Sequence, residues 1–137
     1  MYTNILLSTD GSDVARKGVE HGIALAKALK AKVTIITVTE PPPSIYYGPS
    51  TLTHSKEDLD RIDAVYEEFA GKVLDEARAM AEQIGIAVEL LYVPNARPAG
   101  AIIEAAKFRG CDLIVMGAHG RCDLIRKLFW EVRHRRS

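Results

Sequence analysis

Gly117 and Gly120, with two residues between them, follow directly on the apolar run Leu113–Met116. A Gly-x-x-Gly loop at the end of a strand suits phosphate binding. Glycine lets the chain turn tightly and lets backbone N–H groups converge on an anion. A helix that begins after such a loop adds its positive end. A second apolar run, residues 4–9, closes on Asp10-Gly11-Ser12, and a third ends at Val38. If these runs are parallel strands, then Asp10, Val38 and the 117–121 loop share the carboxyl edge of the sheet, where open α/β sheets bind ligands. Each feature also has a plainer use. Glycine serves turn geometry alone, and aspartate serves turns and helix caps. His119 lies between the two glycines with no carboxylate or hydroxyl beside it, and it reads as a packing or solvated residue rather than a catalyst. His21, His54 and His134 are scattered, and Cys111 and Cys122 form no CxxC pair, so no cluster has metal-ligand spacing. The pattern points to binding rather than to catalysis, since no nucleophile stands with a general base.

The elements that would carry these residues fit one domain spanning 1–137, long enough to bury a core without disulfides or metals. Eighteen basic residues offset eighteen acidic ones, which argues against a dedicated nucleic-acid binder. The cysteine usage fits a reducing compartment. No leader-like segment opens the sequence, and no apolar run approaches the roughly 20 residues that span a bilayer. A cytoplasmic protein without a membrane segment is expected.

Residues 4–9 form a short apolar strand with a turn behind it. Ser12 is placed to cap the following helix, and Asp13 suits its first turn. Ala15, Gly18, Val19, Gly22, Ile23, Ala26 and Leu29 then share a helical face. Two glycines there cost helix stability, which makes sense if the helix packs very close to a sheet. In residues 32–38 every residue after Lys32 is β-branched, as in a strand covered on both faces. Pro41, Pro42 and Pro43 stop regular structure. A long loop with Tyr46 and Tyr47, read as resting on the core, runs to about residue 54. A helix over 55–84 has the stripe Ile62, Val65, Phe69, Val73, Ala77, Met80 and Ile84, and Gly85 ends it. Strands are expected over 86–93 and 112–116, with a helix from Pro98 to Arg109 between them and another helical stretch from about Asp123. The alternation βαβαβαβα predicts an α/β, doubly wound parallel sheet with right-handed crossovers.

Three segments carry a resemblance to the universal stress proteins. Residues 5–12 are similar to that family's first strand and turn, and residues 111–121 to its fourth strand and loop. Pro98, Ala99, Ile102 and Ala105 fit its third helix. The resemblance runs in order and spacing to about residue 129. It implies a flavodoxin-like, adenine-nucleotide-binding fold of strand order 3-2-1-4, extended in the family by a fifth strand through which members usually dimerise. Some members bind ATP and others do not. Carried over by position, the resemblance implies that Asp10 contacts the adenosine, that Thr9 and Val38 offer backbone contacts to adenine, and that Met116 lies near base or ribose. Gly117, His119, Gly120 and Arg121 complete the implied nucleotide site. ATP or AMP is the expected ligand, with magnesium accompanying ATP.

The family pattern continues with Gly-Ser or Gly-Thr after nine intervening residues, Arg121 to Phe129. Here that place holds Trp130-Glu131. Glycine would admit outer phosphates, and the hydroxyl would donate to them; tryptophan blocks and glutamate repels. Two like charges about 4 Å apart at an effective dielectric near 20 repel by roughly 4 kcal/mol. The expectation is a site that holds base and inner phosphate and holds outer phosphates weakly. The residues after Val132 are not expected to form the family's fifth strand, so any self-association is expected through an altered interface. Phe129–Arg133 is also what a one-base deletion would make of a family-like Phe-Leu-Gly-Ser-Glu; the alternative is a natural basic tail, with six basic residues against two acidic from Arg121 onward. Three functions stay open: a stress-response protein with a weakened nucleotide site, a relative that binds no nucleotide and works by protein contacts, and a slow ATPase or nucleotidyl transferase.

Overall fold

A computed structural model describes residues 2–40 and 56–116. Within them the chain runs β1 (Asn4–Ser8), α1 (Asp13–Leu29), β2 (Lys32–Val38), α2 (Lys56–Ile84), β3 (Glu89–Val93), α3 (Pro98–Phe108) and β4 (Leu113–Met116). The four strands form one parallel sheet in the order β3-β2-β1-β4. The chain therefore steps outward through β1, β2 and β3, then returns across the sheet to β4. Right-handed crossovers taken in opposite directions place their helices on opposite faces. Accordingly α1 and α2 share one face, where Val19, Ile23, Ala26, Leu74, Ala77 and Ala81 pack on Ile5, Leu7, Val33, Ile35, Leu113 and Val115. On the other face, Ile102, Ala105 and Ala106 of α3 pack with Leu6, Ile36 and Ile114. The alternation of Leu6 with Ile5 and Leu7 between the two clusters is the strand period of two. The expected sheet and its order 3-2-1-4 are thus present; the expectations about a fifth strand and about residues 117–137 lie outside the described residues, as do those for the loop at 41–55.

Several sequence expectations about the helices hold for a visible reason. Ser12 is the N-cap of α1 and accepts the Ala15 N–H at 3.2 Å, with Asp13 in the first turn. Gly22 faces Leu7 so closely that any added Cβ would collide with it. Arg16 in α1 grips Glu76 in α2 through two contacts, at 2.6 and 3.1 Å. Lys27 donates to the Ile84 carbonyl at 2.8 Å, satisfying one of the carbonyls left open at the α2 terminus.

One strand boundary and one helix face differ. The strand expected from Ile86 begins at Glu89, the first β3 residue paired with β2, opposite Thr34. Ile86 donates its N–H to Ala81 at 3.1 Å, and Gly85 has φ +94°, so both belong to the helix C-cap. The stripe of α2 is also shifted. Val65 and Phe69 are 63% and 48% exposed, while Ala70, Leu74 and Ala81 are buried. At 1.5 Å per residue, α2's 29 residues span about 44 Å. A seven-residue strand spans only about 23 Å. The helix outruns the sheet, so among the described residues its first turns have no strand to pack on and none of their side chains is fully buried.

Candidate functional site

The strand order reverses between β1 and β4, and their carboxyl ends pair directly, with Ser8 opposite Met116. This is the position where a doubly wound sheet opens a ligand crevice. The β1 exit is held by a set of local hydrogen bonds. Thr9 is 5% exposed and donates its N–H to the Ile36 carbonyl at 3.0 Å. Its own carbonyl accepts the buried Thr37 hydroxyl at 2.7 Å. Its side-chain oxygen accepts the Gly11 N–H at 3.2 Å. Gly11 has φ +82°, and a Cβ there would sit 2.9 Å from Val73 Cγ2, so both conformation and space call for glycine.

Asp10 is exposed at the tip of this turn, and its Oδ1 accepts the Ser12 N–H at 2.9 Å. The plainer reading of Asp10 as a turn residue is therefore realised, and its carboxylate still faces solvent at the strand end. The Thr9 N–H and carbonyl both take part in these bonds, which fix the strand exit. Val38 and Met116 both pack beside the α3-face cluster, which brings these two side chains to one face of the sheet. Val38 is the last β2 residue, paired with Val93, and the chain beyond it is tied to β3. Thr39 donates its N–H to the Val93 carbonyl at 3.1 Å, and its hydroxyl meets that of Tyr92 at 2.9 Å. Gly117, His119, Gly120 and Arg121 lie outside the described residues, as do Trp130 and Glu131.

Sequence reading passed over Ser8 and Thr37. Ser8 continues the Leu6 parity, so it shares the face of Val38 and Met116 and puts a hydroxyl among apolar side chains. Thr37 looks like another β-branched strand residue until its partner is known. Alternation from Leu6 was the signal for Ser8; nothing in the sequence marked Thr37. The opposite end of the sheet is fastened by Asp112, whose carboxylate accepts the N–H groups of Thr3 and Asn4 at 3.0 and 3.1 Å. Among the described residues no group of His, Cys, Asp and Glu could hold a metal ion. No helix among them is long and apolar enough to cross a membrane.

The chain matches the model of the universal stress protein family over residues 1–135. It is similar to the universal stress protein MJ0531 of Methanocaldococcus jannaschii, with 30% identity over 135 residues, 98% of this chain and 75% of that one. A crystal structure of a universal stress protein family member from Burkholderia pseudomallei is 30% identical and superposes with a TM-score of 0.67, covering 98% of this chain and 91% of that one. A universal stress protein crystallised with cAMP has the same fold, at 24% identity and a TM-score of 0.62, over 84% of this chain and 75% of that one. The strand order, the paired exits of β1 and β4 and the match along nearly the whole sequence lead to one conclusion: the chain belongs to the universal stress protein family.

Proposed function

We propose that this chain is a cytoplasmic stress-response protein that binds an adenine nucleotide at the carboxyl ends of β1 and β4, holding base, ribose and inner phosphate but holding outer phosphates weakly. The observation that carries this reading is the convergence of Asp10, Val38 and Met116 at the reversal of strand order. Val38 and Met116 give an apolar shelf on one face of the sheet, suited to a base, and Asp10 gives an acceptor suited to ribose hydroxyls. That the fold has accommodated cAMP in another member supports an adenosine-sized ligand here. Trp130 and Glu131, standing where the family pattern has Gly-Ser or Gly-Thr, carry the weakened grip on outer phosphates. Gly117, His119, Gly120 and Arg121 would line the inner phosphate, and magnesium would arrive only with ATP. The chain is not proposed to turn nucleotide over, because no general base or nucleophile pairing stands at these strand ends among the described residues.

The test is titration calorimetry with AMP and ATP, each with and without magnesium. AMP should bind at least as tightly as ATP. ATP binding tighter than AMP by more than about tenfold, a difference of 1.4 kcal/mol, would overturn the weakened-phosphate reading. No binding by either would favour a protein that works through contacts alone. Turnover of ATP in the same samples would restore the slow-ATPase alternative. We also infer that the chain self-associates, through a surface other than the family's usual one.

A further inference from the structure

One face of α3 is left open. Arg97 at its N-cap, then Ala101, Glu104 and Phe108, recur at steps of four, three and four, with Gly100 beside Ala101, and so form a single stripe. Ile102, Ala105 and Ala106 are buried toward the sheet. Between α3 and the edge strand β3 runs a groove of about 660 Å³, with Leu91 and Val93 on its strand side. Phe108, at the end of the stripe, is 90% exposed, far more than any other large apolar residue described. A Cβ added at Gly100 would meet nothing within 4 Å. Arg97 and Glu104 take part in none of the ion pairs among the described residues.

We propose that this face pairs with the same face of a second copy of the chain, the two α3 helices antiparallel about a two-fold axis. The stripe is self-complementary under that operation. The midpoint between positions 97 and 104 falls between Gly100 and Ala101, the two smallest side chains of the stripe. With the axis there, Arg97 stands against Glu104 of the partner subunit, and Glu104 against Arg97 of the partner subunit. Gly100 and Ala101 let the helices approach closely, as small residues do at helix crossings. The same symmetry brings Phe108 toward the partner's Val93, at the far end of the groove. A closed two-fold contact is self-limiting, and the zero net charge of the stripe leaves no repulsion between identical copies. These features favour a second copy over an unrelated partner, which would have no reason to match the chain's own spacing. The interface lies at the β3 edge, away from the paired exits of β1 and β4, so it stands independently of the nucleotide reading.

The experiment is sedimentation velocity of the full chain across micromolar concentrations, with charge swaps at the two stripe positions. The wild type should show concentration-dependent dimers. Arg97→Glu and Glu104→Arg should each weaken dimerisation by about tenfold or more, since each sets like charges opposed twice across the axis. The double variant R97E/E104R should recover most of that loss, because opposite charges face each other again. Phe108→Ser should weaken the dimer by a similar factor without changing far-UV circular dichroism. A wild type that stays monomeric overturns the proposal. So does a dimer indifferent to both single swaps, or a double variant no tighter than the singles.

Discussion

A methyl group added to Gly22 of α1 would lie 2.3 Å from Cδ2 of Leu7 in β1, inside the distance real Cβ atoms keep. Leu7 is fully buried at the centre of the sheet, so it has little room to yield. Gly22→Ala should therefore destabilise by about 1–3 kcal/mol, although alanine is intrinsically the better helix former by about 1 kcal/mol. Urea denaturation checks the sign. Combining Gly22→Ala with Leu7→Ala should cost less than the sum of the two, because the smaller strand residue makes room for the methyl.

Asp112 acts as a clasp on the start of β1. Besides the two backbone N–H groups it accepts, the Thr3 hydroxyl reaches its Oδ2 at 3.3 Å, and its own N–H donates to the Asn4 carbonyl at 2.8 Å. Asp112→Ala should cost about 1–3 kcal/mol in chemical denaturation, since it strips the acceptors from the exposed Thr3 amide and the partly buried Asn4 amide. Asp112→Asn keeps one acceptor oxygen and should fall between the two.

Thr37 donates from a buried position to the carbonyl of Thr9, the residue that leads into the β1 exit turn. Thr37→Val preserves shape and removes the donor, leaving that carbonyl one partner short. A loss of about 1–2 kcal/mol is expected. Thr37→Ser keeps the donor but loses a methyl, so a smaller loss identifies the hydroxyl as the part that matters.

Asp10 carries two roles that one substitution separates. Asp10→Asn retains an oxygen for the Ser12 N–H and removes the charge. Stability should change by less than about 0.5 kcal/mol, while AMP affinity should fall by about tenfold, as expected when a charged acceptor of ligand hydroxyls becomes neutral. Unchanged AMP affinity in calorimetry would leave Asp10 as a turn residue only.

Ser12→Ala tests the helix that leads away from the same turn. Its hydroxyl caps α1 by accepting the Ala15 N–H. A loss of about 1 kcal/mol is expected, and Ser12→Asp should recover it. The readout is the denaturation midpoint, with the slope unchanged.

The sheet was legible because its central strands are continuous apolar runs and its turns carry glycine and proline. Residues 5–7 and 33–37 leave no other place for themselves than a covered sheet. The face of α2 was less legible. Periodicity alone made Val65 and Phe69 core residues, because it weighs large apolar side chains and cannot tell where the sheet beneath the helix ends. The residues buried instead are mainly alanines, which signal close approach only once the neighbour is known. At the site, Asp10 and Val38 could be placed from strand ends alone. The links from Thr37 to Thr9 and from Asp112 to Asn4 join positions 28 and 108 apart in sequence, and no local pattern encodes them.

α2 has a consequence for exchange of its amide hydrogens. No residue in it before Ala70 is buried, and every buried position falls between Ala70 and Ala81. One unbroken helix therefore contains two cooperative units. Amides in its first turns should exchange through local fraying at a small opening free energy, whereas those beneath Val73 and Ala77 should exchange only when the whole domain opens. Denaturant would accelerate the second group steeply and leave the first almost untouched, so a single helix would report both the loosest and the firmest motions of the molecule.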